Sequence, residues 1–458
     1  MILLISSGME LKINNYMKFR QIAFSLAAMT TIYNVGYAQQ TGNDALPAKA
    51  SLQQLIDYAL SNKISLMQAA IDEEIGEKDI DIALSGWLPQ VNASGSYNYN
   101  VKIPTSAIDG KNIALGQKNA SALVLQADQQ ILNPALMQAS KAATLIRQSN
   151  KQNTESQKIN TVVEVSKAYY DILTSEEQIK IVRENIARLQ KQYNDAKVRY
   201  EVGLVDKTDF KRAQIALSNA NADEKRTVEL RRYKYEYLKN VLSVDKTADI
   251  TLSFENTSME NEILLDTTSS AVVTNRIEFQ QLQTSKKMQE LETQYYKWTY
   301  LPNVSAFYNY SFNYRNDKFN DLYSNNFPSS IAGLSVSIPI FQGFKRKHQI
   351  NQSKLRESRI DLSMEDLKNQ VNTEYALATA SYNANLIDWK TSKDNVDLSK
   401  EVYDTIKLQY DEGIKTYLDL MTAETDLKTS QLNYLNALYA LLSTKLDVQK
   451  ALGTVEIK

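Results

Sequence analysis

The side chains most often recruited for nucleophilic or metal chemistry are scarce in this 458-residue sequence, which has one histidine and no cysteine. The one histidine, His348, follows Lys345-Arg346-Lys347 with no acid or nucleophile spaced to work with it. It reads as a polar helix residue. Cysteine is absent, which together with a single histidine argues against a transition-metal site. Asp72-Glu73-Glu74 and Glu176-Glu177 read as solvated helix faces. Two short motifs remain, Asp206-Lys207-Thr208-Asp209 and Thr416-Tyr417-Leu418-Asp419. Each fits an N-cap followed by an acid at the third helical position, so each starts a helix rather than turning over a substrate. Lysine and arginine number 52 against 53 acids with no long single-sign run, so nothing points to nucleic acid. The expectation is a protein without catalysis, cofactor or metal.

The elements around those motifs carry more information. From Leu88 to Val101 the side chains alternate, with Val91, Ala93, Gly95, Tyr97, Tyr99 and Val101 on one face and asparagine, serine and glutamine on the other. The pattern returns from Leu301 to Tyr314, where Val304, Ala306, Tyr308, Tyr310, Phe312 and Tyr314 share a face and Phe307 is the exception. Shorter strands are expected at Ser121–Gln130 and Ser330–Ile338, the latter placing Leu334 and Val336 on its apolar side. The polar stretches 102–120 and 315–329 read as loops. Strands apolar on one face and amide-rich on the other suit a wall with lipid outside and water inside, although one such strand alone fits an ordinary half-buried antiparallel sheet better.

Met17-Lys18-Phe19-Arg20, the apolar run to Tyr33 and Gly36-Tyr37-Ala38 read as a secretory signal over residues 1–38. Beyond it no apolar stretch reaches the length of a membrane-spanning helix, so any crossing must use strands. Between Pro134 and Tyr200 there is neither proline nor glycine, which predicts a rod about 100 Å long. Ile172, Ile179, Ile186, Tyr193 and Tyr200 recur every seventh residue along it, the seam of a coiled coil. Gly203 ends this rod and a second helix runs to Leu242. A helix with Ile71, Ile75 and Ile80 on its stripe precedes the first strand, and another from Ser270 to Tyr300 precedes the third.

The chain is a tandem repeat. Gly203 and Gly413 lie 210 residues apart, and the seam maps at that offset onto Tyr382, Trp389, Val396, Tyr403 and Tyr410. The expected organisation is a first repeat over 39–242, an irregular segment over 243–269 and a second repeat over 270–458, mainly helical with a small β part. Four strands cannot close a barrel, and open edges in lipid would strand backbone groups at several kcal/mol each. Three copies giving about twelve strands is the natural closure. A periplasmic or surface coiled-coil scaffold without transport activity would explain the rods but not the duplicated alternation.

The two Leu-Pro strand starts at Leu88 and Leu301, the paired Tyr-x-x-Gly turns at Tyr200 and Tyr410, and the ending Val448-Gln449-Lys450-Ala451-Leu452-Gly453 resemble the TolC family of outer-membrane efflux and secretion channels, from Ser51 to Gly453. The resemblance implies a homotrimer with a twelve-stranded β-barrel in the outer membrane and an α-helical periplasmic tunnel. It implies a passive exit channel for a tripartite efflux pump or type I secretion system, carrying small molecules or proteins. The implied partners are outer-membrane lipid, a periplasmic adaptor met by the tip turns at Gly203, Leu204, Gly413 and Ile414, and an inner-membrane transporter of RND, ABC or MFS type. Carried over by position, a channel gate would use Asp209, Tyr410 and Lys415, with Asp419 supplying an acidic ring. A second acid expected one turn on is Thr422 here, followed by Glu424.

Overall fold

The computed structural model describes residues 49–108, 111–203, 206–253 and 273–457. The expected signal at 1–38 and the turn residue Leu204 lie outside them, as does most of the segment 243–269. In chain order the elements are β1 (Lys49–Ala50), α1 (Leu52–Asn62), α2 (Ile64–Leu84), β2 (Gln90–Tyr99), β3 (Thr105–Ile108), β4 (Lys111–Ala114), β5 (Asn119–Leu132), α3 (Pro134–Glu201), α4 (Lys207–Leu242), β6 (Thr251–Leu252), α5 (Ile277–Trp298), β7 (Asn303–Asn316), β8 (Ser329–Ser337), α6 (Lys345–Asp411) and α7 (Tyr417–Leu452).

The long helices form because nothing in them interrupts hydrogen bonding and their ends are chemically marked. Asn133 caps α3 by accepting from the Ala135 and Leu136 amides, and Pro134 occupies the first position, where its missing N–H is not needed. At 68 residues α3 is about 100 Å long. Both rods end in the same turn. The amides of Gly203 and Gly413 each donate to the carbonyl of the tyrosine three residues back at 3.0 Å, and both glycines sit at φ +77°, which other residues rarely adopt.

The sheet order is β2-β5-β7-β8, antiparallel throughout, and among the described residues both outer strands have one unpaired edge. The main core lies midway along the helical part, where Leu55, Ile172, Leu173, Leu238, Leu242, Leu441 and Leu442 are fully buried around the short parallel ladder of β1 and β6. Arg276, itself buried, ties the second repeat to it, pairing with Glu278 at 3.0 Å and Glu374 at 2.9 Å and donating to the Ala451 carbonyl.

Several expectations are corrected. The stretch 102–120 holds a β-hairpin of β3 and β4 in place of a plain loop. Helix α5 begins at Ile277, several residues after Ser270. Of the expected stripe on α2, Ile80 is buried together with Leu66, Ala69 and Gly76, whereas Ile71 and Ile75 face outward. The acids at 176–177 are not simply solvated. Glu177 is buried, and Glu176 accepts from the Tyr235 hydroxyl at 2.6 Å.

Candidate functional site

Two regions are candidates, the sheet and the tip of the helical hairpins. In the sheet, register places Val91, Ala127, Tyr308 and Ala332 in one row across all four strands, and Ala93, Leu125, Tyr310 and Ser330 in the next. Val304 pairs with Val336 and Ala306 with Leu334 on that same face, and Tyr97 and Tyr99 continue it toward the far end. The opposite face carries Asn92, Gln126 and Asn309 in one row and Ser94, Ser311 and Ser329 in another, interrupted by Val124 and Ile331. Phe307, the exception in the sequence pattern, lies directly across from Gly333, where a Cβ would come within 2.7 Å of its ring. The ring thus covers the gap that glycine leaves on an edge strand. Among the described residues no helix covers either face of the sheet. Val91, Tyr97, Tyr99, Tyr308, Leu334 and Val336 are exposed although large and apolar.

At the tip, the structure brings together some of the expected gate residues and separates others. Tyr410, half-buried in the last turn of α6, lies 6.2 Å from the Tyr417 ring and 5.3 Å from the Arg199 guanidinium. Tyr417 packs with Ala196 and Ala213, so this cluster joins both hairpins, and its buried hydroxyl has no hydrogen-bond partner among the described residues. Burial raises the pKa of both tyrosines above the ordinary phenol value. The Asp209 carboxylate is close enough to add to both shifts, but it forms no hydrogen bond among the described residues. The first cap is made by Asp206, which accepts from the Thr208 amide at 2.7 Å. Asp419 does serve as a cap partner, accepting from the Thr416 amide at 3.0 Å and hydroxyl at 2.8 Å, and these bonds lower its pKa. Lys415 is exposed and makes no ion pair among the described residues. Gly413 and Ile414 are likewise exposed at the turn.

A buried polar link between the hairpins does not follow from the sequence motifs. Glu424 is 2% exposed and accepts from Arg188 Nε at 3.0 Å and Gln192 Nε2 at 2.6 Å. Arg188 also lies 5.7 Å from the Tyr403 ring. Burial outweighs these bonds and raises the Glu424 pKa. The signal was available: Glu424 sits inside the apolar stripe Leu420, Ala423, Leu427, where an acid needs a partner.

A four-stranded sheet, apolar on one face, amide-lined on the other, uncovered on both and carried on rods of this length, defines part of the wall of a membrane pore. The family described as outer membrane efflux protein matches residues 55–241 and 298–454, and the chain belongs to it. It is 21% identical over 412 residues to the outer membrane protein TolC of Vibrio cholerae, covering 88% of this chain and 91% of that protein. It is 22% identical over 428 residues to TolC of Escherichia coli K12, covering 91% and 84%. Among solved structures, the open state of the MtrE outer membrane channel of Neisseria gonorrhoeae matches with a TM-score of 0.72 at 20% identity, covering 88% of each chain. The fold is that of a trimeric channel, a β-barrel above a helical tunnel, and the protein belongs in the outer membrane with its helices in the periplasm. Its homologues are outer-membrane channels of efflux pumps.

Proposed function

We propose that this chain is the passive outer-membrane exit duct of a tripartite efflux pump, closed at rest by contacts at its tip. The single observation that carries this reading is the bare sheet, whose two faces are fitted to lipid and to water. Its outer strands β2 and β8 run in opposite directions, so β8 of one copy can pair antiparallel with β2 of the next. Three copies then leave no edge. The chemistry of export is left to an inner-membrane transporter, reached through an adaptor at the turns of Gly203 and Gly413.

The gate uses the charges that the single chain leaves unsatisfied. Among the described residues the Asp209 carboxylate accepts no hydrogen bond and Lys415 makes no ion pair, and each would be completed by a neighbouring copy while Tyr410 fixes the hairpins between them. Three copies of Asp419 near the axis would favour cations. Single-channel recording in planar bilayers tests this. Asp209→Ala or Lys415→Ala should raise conductance, and Asp419→Ala should reduce cation selectivity. Unchanged conductance in both of the first two variants would remove those residues from the gate. Because the chain has no cysteine, a single cysteine at Ile414 offers a unique cross-linking point for the adaptor.

A further inference from the structure

The connection from β8 to α6, Ile338 to Phe344, is a rigid hook whose apolar side chains point away from the protein. Ile340 is 93% exposed, Phe341 is 73% exposed and Phe344 is also exposed. The rings of Phe341 and Phe344 meet edge to face at 5.6 Å. Gly343 and Phe344 take consecutive positive φ values of 56° and 62°, a conformation that strains a phenylalanine. Arg346 holds the hook in that shape. It is nearly buried, lies 4.5 Å from the Tyr300 ring, and donates to the Gln342 side chain at 3.1 Å and to the Pro339 carbonyl.

On either side of Arg346, Lys345 and Lys347 are exposed, and no acid occurs between Leu322 and Arg356. Ala332, Leu334 and Val336 lie on the apolar face of β8, and the same two-residue steps lead to Ile338 and Ile340. The hook therefore continues the lipid-facing wall at the end where α6 departs, which is the periplasmic rim of the barrel. The first repeat lacks it: β5 passes through Asn133 alone into α3. The repeat does not need the hook to join strand to helix.

We propose that Ile340, Phe341, Phe344, Lys345 and Lys347 form a binding site for anionic phospholipid in the periplasmic leaflet. The three apolar side chains enter the acyl region and the two lysines hold the phosphate. Apolar anchors beside unpaired cations at a bilayer rim are the chemistry that selects an anionic lipid over a zwitterionic one. The site rests on the outer-membrane placement and is independent of the gate, so conductance should not change when it is altered.

Native mass spectrometry of the detergent-solubilised trimer, titrated with phosphatidylglycerol or phosphatidylethanolamine of the same acyl chains, tests it and reports assembly in the same spectrum. Wild type should retain phosphatidylglycerol preferentially, by about fivefold per lysine. Lys345→Gln with Lys347→Gln should bring the two lipids level, and inorganic phosphate should not displace the bound lipid. Equal retention of both lipids by wild type would overturn the proposal whatever the variant does, and is the result expected if a neighbouring copy covers the hook. So would a preference that survives the double substitution, or displacement by inorganic phosphate.

Discussion

Helices α3 and α6 are the same rod twice, yet the face that α3 uses within the chain is left bare on α6. Beyond the apolar core they share, α3 holds α7 with polar side chains: Lys167 pairs with Asp447 at 2.7 Å, and Arg188 and Gln192 hold Glu424. The positions 210 residues on are Leu377, Leu398 and Val402, which are 67%, 59% and 53% exposed. Tandem repetition preserved the geometry while the chemistry of the two faces diverged. A seam made inside one chain forms at high effective concentration and can rely on charges that fix its register. A seam between copies must supply association energy, and about 1.5–3 kcal/mol per fully buried leucine comes from area removed from water. This comparison predicts that the exposed row on α6 meets the next copy in the trimer.

The largest expected effect breaks that surface directly. Leu398→Asp with Val402→Asp should dissociate the trimer while leaving the helical signal of the chain intact, as read by light scattering and circular dichroism. Trimers that persist would place the subunit seam elsewhere. The intrachain seam should respond on a smaller scale and in a way that depends on its partner. Arg188→Leu strands the buried Glu424 and should cost about 1–3 kcal/mol, whereas Arg188→Leu with Glu424→Leu should recover most of the loss. A double-mutant cycle with no coupling between the two would show that the contact does not hold the hairpins together.

How far the sequence revealed this differs by element. Alternation in β2 and β7 was readable because period two assigns every side chain to a face, and the seam through Ile172 and Ile179 was readable because one partner helix repeats every seventh residue. Both follow from local geometry. Ile71 and Ile75 form an apolar row that this chain leaves exposed beside the buried Leu66, Ala69 and Ile80, and periodicity alone does not say which of two apolar rows is covered. At the tip, Asp209, Tyr410, Lys415 and Asp419 follow from resemblance alone, and a single chain brings Asp209 near Tyr410 and Lys415 near Asp419 without joining the four in one network. Glu424 and Arg188 lie far apart in sequence, and no spacing rule links residues on different hairpins.

Acidity sharpens the contrast between the two acids of α7. Burial lifts the Glu424 pKa above its unfolded value of 4.5, so folding favours its protonated form. That contribution is complete below pH 4.5 and is lost as the pH rises through the folded value. Glu424→Gln mimics the protonated state without titrating. The variant should therefore match wild type at low pH and gain on it as the pH approaches neutrality, in thermal midpoints measured across that range. A difference that instead widens on acidification would mean the Arg188 bond dominates burial.

The smallest effect separates the two turns. Asp419 and Thr416 satisfy each other reciprocally at the start of α7, so Asp419→Ala removes the acceptor of the Thr416 amide, and peptides covering that first turn should exchange hydrogen faster. The pKa of Asp419 is held below 3.8 by those same bonds, so its contribution is present above that pH and fades as the pH falls through the folded value. Asp209 occupies the matching position in α4, but Asp206 already caps that helix, and Asp209→Ala should leave exchange there unchanged. The order should invert for conductance, where Asp209 is free to pair across copies. Equal protection losses at both turns would mean that Asp209 is also a cap, and the distinction between an acid that starts a helix and one that closes a pore would fail at the residue on which it was drawn.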